Sequence, residues 1–387
     1  MTLTTTSIPP LGGTPAVTRY AGEVVFVYAF DVAYEMLRTP ISTLLGQPVA
    51  QFAVDSSKRS PRQLFFYRPQ MVRLPPLERF GPFGAVRVER SVKILPVGAI
   101  SITICVPFEV AQISDLVAFH DLRFSNGSYL YDEVRELAEE VRRELRPHSV
   151  RPVPKLGEEE AYTVFCLHSP LPGSGNAAMR AEEWLHAHRR DIAGLLTEQT
   201  DALHLSDQQC EESTGKYFSY YDRDLVVIDW DAALVVDEPR YLGETIYIME
   251  LANLQLAELE AYDRLLDDVV DRAYRDLSAR RIDRWQGPRI QRQLREIRVD
   301  MARLSDELLN ISKFFGDWYL ARIYQGLSSR FHLGDWHHTI DDKLKTLDDL
   351  YQLLQSDRNN RWMLTLEITV VLLFVLDLAL LFFGGHR

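Results

Sequence analysis

Cysteine is scarce in this 387-residue chain. Cys105, Cys166 and Cys210 are odd in number and share no CxxC spacing, which excludes a disulfide framework and a cysteine-built zinc clip and points to a reducing compartment. Basic charge is short as well. Lys and Arg total 43 against 55 Asp and Glu, for a net charge of −12, whereas affinity for a phosphate backbone comes from clustered cations that displace counterions. No nucleic-acid partner is expected. Only 7 of the 43 basic residues are Lys, a bias that favours a GC-rich, bacterial genome over a binding task. Also missing are GxxxxGK[ST], GxGxxG after a strand, GxSxG and HExxH, so the common nucleotide-binding, serine-hydrolase and zinc-hydrolase signatures are absent. The start, MTLTTTSIPPLGGTPAVTRY, has no charged segment followed by an apolar one. It reads as a flexible tail over residues 1–20 rather than a signal peptide.

What is present is a hydrophobic content of 46%, enough for a sizeable core and two or three compact units. Residues 21–237 read as an α+β domain with a mixed or antiparallel sheet. EVVFVYAFDV, RQLFFYRP, AVRVERSVKIL, AISITICVPF and AYTVFCLHS are strand-like, and YLYDEVRELAEEVRREL and AAMRAEEWLHAHRRDIAGLL are helical. In DLVVIDWDAALVV, alternation would put Val226, Ile228, Trp230, Leu234 and Val236 on one face and Asp229 and Asp231 on the other. Two carboxylates so spaced could bind a divalent cation or divide acid and base roles, and outward charge on a half-buried strand explains them equally simply. Glu182 and His186 lie four apart on a helix and can meet on one face, as a metal pair or as a surface ion pair. Cys166, in an apolar strand without an evident base, reads as packing.

Residues 240–357 read as a helical stalk of about three helices. Ile290, Leu294, Ile297, Met301, Leu304, Leu308, Ile311, Phe315 and Trp318 step by three and four, and Ile340, Leu344, Leu347, Tyr351 and Leu354 repeat the pattern. A coiled-coil hairpin turning near Gly334 and Asp335 is expected, its tip plugged by aromatics, with intermolecular coiled coil as the competing packing. His332, His337 and His338 near that turn lack a ligand set and read as solvated. Residues 362–383 then read as one transmembrane helix, about 32 Å long at roughly 1.5 Å per residue. Trp362 would sit at the headgroup layer, while Glu367 and Asp377 would be embedded acids that the dense apolar residues offset.

IDDKLKTLDDLYQLLQSDRNNRWMLTLEITVVLLFVLDL resembles the closing helix of the required for meiotic nuclear division proteins and their bacterial relatives, a single-pass family of unknown function. Leu366 and Glu367 stand as its Leu-Glu pair, and MELANLQLAELEAYDRLLD is similar to its earlier helix. The resemblance implies membrane anchoring, with mitochondrial members linked to organellar translation, and no catalytic residues. The combined expectation is a tail-anchored scaffold at the inner membrane with its bulk in the cytoplasm. It would contact lipid, self-associate through the stalk and meet a protein partner, with no catalytic residue and no cofactor indicated. A membrane-tethered metal-dependent enzyme or sensor using Asp229, Asp231, Glu182 or His186, and a subunit of an oligomeric ion pathway, stand as the alternatives.

Overall fold

The structure, a computed structural model, describes residues 19–37, 39–52, 69–82, 84–171, 179–278, 295, 299 and 318–384. These divide into two compact units, one drawn from 1–257 and 311–331, the other from 258–310 and 332–387.

The first unit is α+β. Its strands are β1 (Tyr20–Asp31), β2 (Ala33–Met36), β3 (Thr43–Leu44), β4 (Gln47–Pro48), β5 (Ala50–Gln51), β6 (Gln70–Gly81), β7 (Gly84–Ile94), β8 (Ala99–Val110), β9 (Ser149–Pro152), β10 (Glu160–His168), β11 (Tyr217–Phe218), β12 (Leu225–Ile228) and β13 (Ala232–Asp237). Nine of them form one mixed sheet in the order β11-β12-β13-β10-β1-β8-β7-β6-β5. All neighbours are antiparallel except β10 and β13, which run parallel. β1 lies at the centre, its whole length against β8 from Tyr20↔Val110 to Asp31↔Ala99. The β7–β8 turn needs glycine: Gly98 holds φ +93, and a Cβ there would meet the carbonyl oxygen of Ala33 at 1.9 Å.

The strands read as near-continuous apolar runs because both faces of the sheet are covered. On one face Val24, Phe26, Ile102, Ile104, Phe165 and Leu234 meet the buried sides of α1 (Leu130–Leu145), α2 (Ala181–Ala187) and α3 (Arg189–Leu196) in a single core, with α4 (Asp207–Thr214) packed against α3. On the other face Val25, Val27, Val164, Val226 and Val235 are also buried. That face is covered by the first half of α5 (Pro239–Ser278) and by α6 (Trp318–Arg330). The Asn253 amide donates to the carbonyl of Glu160 at 2.9 Å, and Gly326 sits so close to β11 and β12 that a Cβ would lie 2.6 Å from the Phe218 ring. Lys93 on β7 pairs with Glu250 on α5 inside this layer, and the Ser101 hydroxyl donates to the same carboxylate at 2.6 Å.

The second unit holds the rest of α5 and α7 (Leu333–Gly384). Leu259, Leu266 and Val269 on one helix and Ile340, Leu344 and Leu347 on the other are buried. Lys343 bridges Asp263 and Asp267 at 2.7 and 2.6 Å.

Several sequence expectations are corrected here. No long coiled-coil hairpin forms among the described residues. The seam from Ile290 to Phe315 lies outside them, and the aromatic segment expected at its tip is α6, a 13-residue helix that buries Tyr319, Ile323, Tyr324 and Leu327 within the α+β unit. Gly334 is no turn either, since α7 has begun by then and the left-handed residue is His332 at φ 50. Among the residues whose side chains are described, no helix is long and apolar enough to cross a membrane. The apolar stretch Met363–Leu376 belongs to α7. Its apolar side chains are exposed, Trp362 with them, while the side chain of Asp377 lies outside the described residues. The transmembrane helix, the tail-anchored scaffold and the inner-membrane placement are overturned by this finding.

Candidate functional site

The residues singled out in the sequence do not gather into one centre. Asp229 and Asp231 lie in the tight turn between β12 and β13 rather than on a strand, and that turn reverses the alternation. Val226 and Ile228 face α6, whereas Leu234 and Val236 face the opposite core. Trp230, at the tip, is exposed. The Asp229 carboxylate is buried and held by the Arg330 guanidinium, whose Nε donates at 3.0 Å, and Arg330 also reaches Glu212 at 2.8 Å. The Asp231 carboxyl is pushed up, first by burial and then by the like charges of Glu198 and Asp229. Glu182 accepts a hydrogen bond from Tyr217 at 2.6 Å, and His186 faces the edge of the same ring while its Nδ1 contacts Arg189. Burial does place Cys166 inside the sheet, and it lifts the Cys105 thiol to about 12, so neither thiol is primed as a nucleophile. Among the described residues no group of three or more His, Cys, Asp or Glu could hold a metal ion.

A concave feature among the described residues lies elsewhere, between α1 and the β6–β7 hairpin, with a volume of about 1080 Å³. Its origin is a local fault in the sheet. Pro75 and Pro76 cannot donate to a ladder, and the β6–β7 register shifts between Leu74 and Leu77. Among the described residues, β6 pairs on its outer side at Gln70 and Met71. The bulge frees the Pro75 carbonyl, which accepts from Arg90 Nη2 at 3.1 Å.

Alternation beyond the bulge then sends Leu77, Arg79 and Arg90 toward α1. Arg79 donates to Glu133 at 3.3 Å and stacks its guanidinium 5.9 Å from the Phe124 ring. Glu133 is held by the Ser128 hydroxyl at 2.7 Å, itself fixed by Asn126 at 2.8 Å. Further along α1, Arg135 is neutralised by Glu159 at 2.7 Å. Arg90 differs from these: among the described residues it has no carboxylate partner, and its Nε is buried without an acceptor, as is that of Arg79. Burial and the neighbouring Arg79 charge pull its ionisation below the usual guanidinium range. Sequence reading missed this groove because no strand was expected over 70–81 and no motif pairs Arg79 with Arg90.

The fold and groove together define an α+β domain with a charged cleft at one sheet edge. The family described as "Uncharacterized protein MJ0711, N-terminal domain" matches residues 21–241, and the chain belongs to it. Uncharacterized protein MJ0711 from Methanocaldococcus jannaschii is 22% identical over 221 residues, spanning 57% of this chain and 65% of its own length. The chain thus covers a little under two thirds of that relative. No solved structure matches. This replaces the resemblance to the required for meiotic nuclear division family, whose signal rested on greasy and heptad-patterned helices outside residues 21–241.

Proposed function

We propose that the α+β unit is a binding module for a small anionic ligand, a carboxylate or phosphate ester, held by Arg90 and Arg79 in the groove between α1 and the β6–β7 hairpin. The observation that carries this is Arg90, a half-buried guanidinium that among the described residues has a single carbonyl hydrogen bond and no carboxylate at ion-pair distance. A guanidinium's fork of donors matches carboxylate and phosphate geometry, and an incoming anion would relieve the repulsion between Arg79 and Arg90. The groove lies inside the matched family domain, so the proposed module and the domain coincide. The size of about 1080 Å³ suits a metabolite-sized ligand. Titration calorimetry of the full chain with a series of dicarboxylates and phosphate esters tests the reading. At least one is expected to bind, and the Arg90→Ala variant, folded by circular dichroism, is expected to lose it by tenfold or more. Binding of none, or binding indifferent to Arg90, would end it.

A further inference from the structure

Glu133, on α1, joins the two walls of the groove, and its carboxylate is loosely held at both oxygens. Arg79 donates to one of them from Nη2 at 3.3 Å, a long contact for a charged pair, which settles at about 2.7–2.9 Å when well formed. The other oxygen faces the Ser128 hydroxyl at 2.7 Å. That hydroxyl also lies 2.8 Å from the side-chain oxygen of Asn126, an atom that must be an acceptor because the Ser128 backbone N–H donates to it at 3.1 Å. A hydroxyl has one hydrogen to give. Glu133 and Asn126 therefore compete for it, and whenever Asn126 takes it the Glu133 oxygen faces a lone pair. The Glu133 charge is felt at Arg90 as well, where it opposes that of Arg79.

Resting on the anion-binding reading above, we infer that Glu133 is the site's built-in competitor: its carboxylate stands on Arg79 where the carboxylate or phosphate of the ligand binds, and the ligand displaces it. Both anions seek the same donors, and two like charges side by side on one guanidinium repel each other. The Arg79 and Glu133 side chains are 31% and 25% exposed, so the contact to be broken has the modest strength of a partly exposed pair rather than that of a dry one. A displaced Glu133 has somewhere to go. The Ser128 hydroxyl can turn its hydrogen wholly to Glu133, because Asn126 keeps the Ser128 N–H as its donor. The contact thus lowers affinity without closing the groove, and it gives Arg79 a counter-charge when the ligand is away.

The test is titration calorimetry of the full chain with glutarate and with inorganic phosphate, each variant being checked for folding by circular dichroism. Glu133→Gln is expected to tighten binding about fivefold, the amount that one partly exposed ion pair represents, and Glu133→Ala to do the same. Glu136→Gln, which removes an equal charge from the same groove wall, is expected to change affinity by about twofold or less. In an Arg79→Ala background Glu133→Gln is expected to add nothing, because the competition runs through that guanidinium. Unchanged or weaker binding in both Glu133 variants, an equal gain in Glu136→Gln, or a gain that persists without Arg79 would overturn the competitor and leave the anion module standing. Binding of neither probe, by wild type or by Glu133→Gln, would overturn it too, and failure of the wider dicarboxylate and phosphate-ester series would remove the module with it.

Discussion

Arg330 and Asp229 form a contact in which both side chains are nearly out of water, at 12% and 8% exposure. Losing one partner of such a pair strands the other, which costs about 3 to 5 kcal/mol. Arg330→Ala should therefore lower stability by that amount in urea unfolding, and adding Asp229→Asn should restore part of it. A few residues away Asp231 gives a pH signature. Its carboxyl is raised in the folded state, so the fold binds the proton more tightly than the unfolded chain, whose value lies near 3.8. The resulting penalty is absent below that value, grows as pH rises through the folded value and is fully present above it. Asp231→Asn should raise the neutral-pH Tm while leaving acid stability alone, and a scan from pH 3 to 7 reads the difference. Gly326 is constrained by space: any Cβ there meets the Phe218 ring at 2.6 Å, so Gly326→Leu should cost about 1 to 3 kcal/mol, reduced by Phe218→Ala.

Among the elements, α5 is seated in part by a buried polar cluster of Lys93, Ser101 and Glu250, with the Lys93 ammonium 4.5 Å from the Phe52 ring. Glu250→Ala should destabilise by about 3 to 5 kcal/mol, while the apolar pair Lys93→Met with Glu250→Leu should be near neutral or stabilising, as buried ion pairs often are when replaced together. Thermal unfolding of both variants checks this. Element identity was largely legible: β1, β7, β8, β10 and α1 fall where their periodicity puts them. β6 was not, since no strand was expected over 70–81, where the sheet absorbs Pro75 and Pro76 as a bulge. The helix expected around residues 177–196 is split at His188 into α2 and α3. The candidate site was legible only as scattered residue types, since a groove made by a register shift leaves no spacing signature.

For the whole molecule, the matched family domain ends at 241, yet the α+β unit continues through Ala257 and takes in 311–331. A fragment of residues 19–241 would bare Val25, Val27, Val164 and Val235, each worth about 1.5 to 3 kcal/mol of burial. It is expected to aggregate or to melt well below the full chain, which should stay monodisperse. Size-exclusion chromatography with a thermal melt decides between them.

Composition and periodicity by themselves determined the α+β class and the burial of Cys166, because alternation and apolar run length are local properties that each strand carries in its own residues, and they left the sheet open as mixed or antiparallel. Only the tertiary structure decided that the aromatic helix Trp318–Arg330 belongs to the sheet and that Asp229 answers Arg330 across 101 residues. It alone also set Arg79 and Arg90 opposite the acids of α1. Those contacts join segments far apart in the chain, and their energies depend on which surfaces meet, a quantity that no window of neighbouring residues contains.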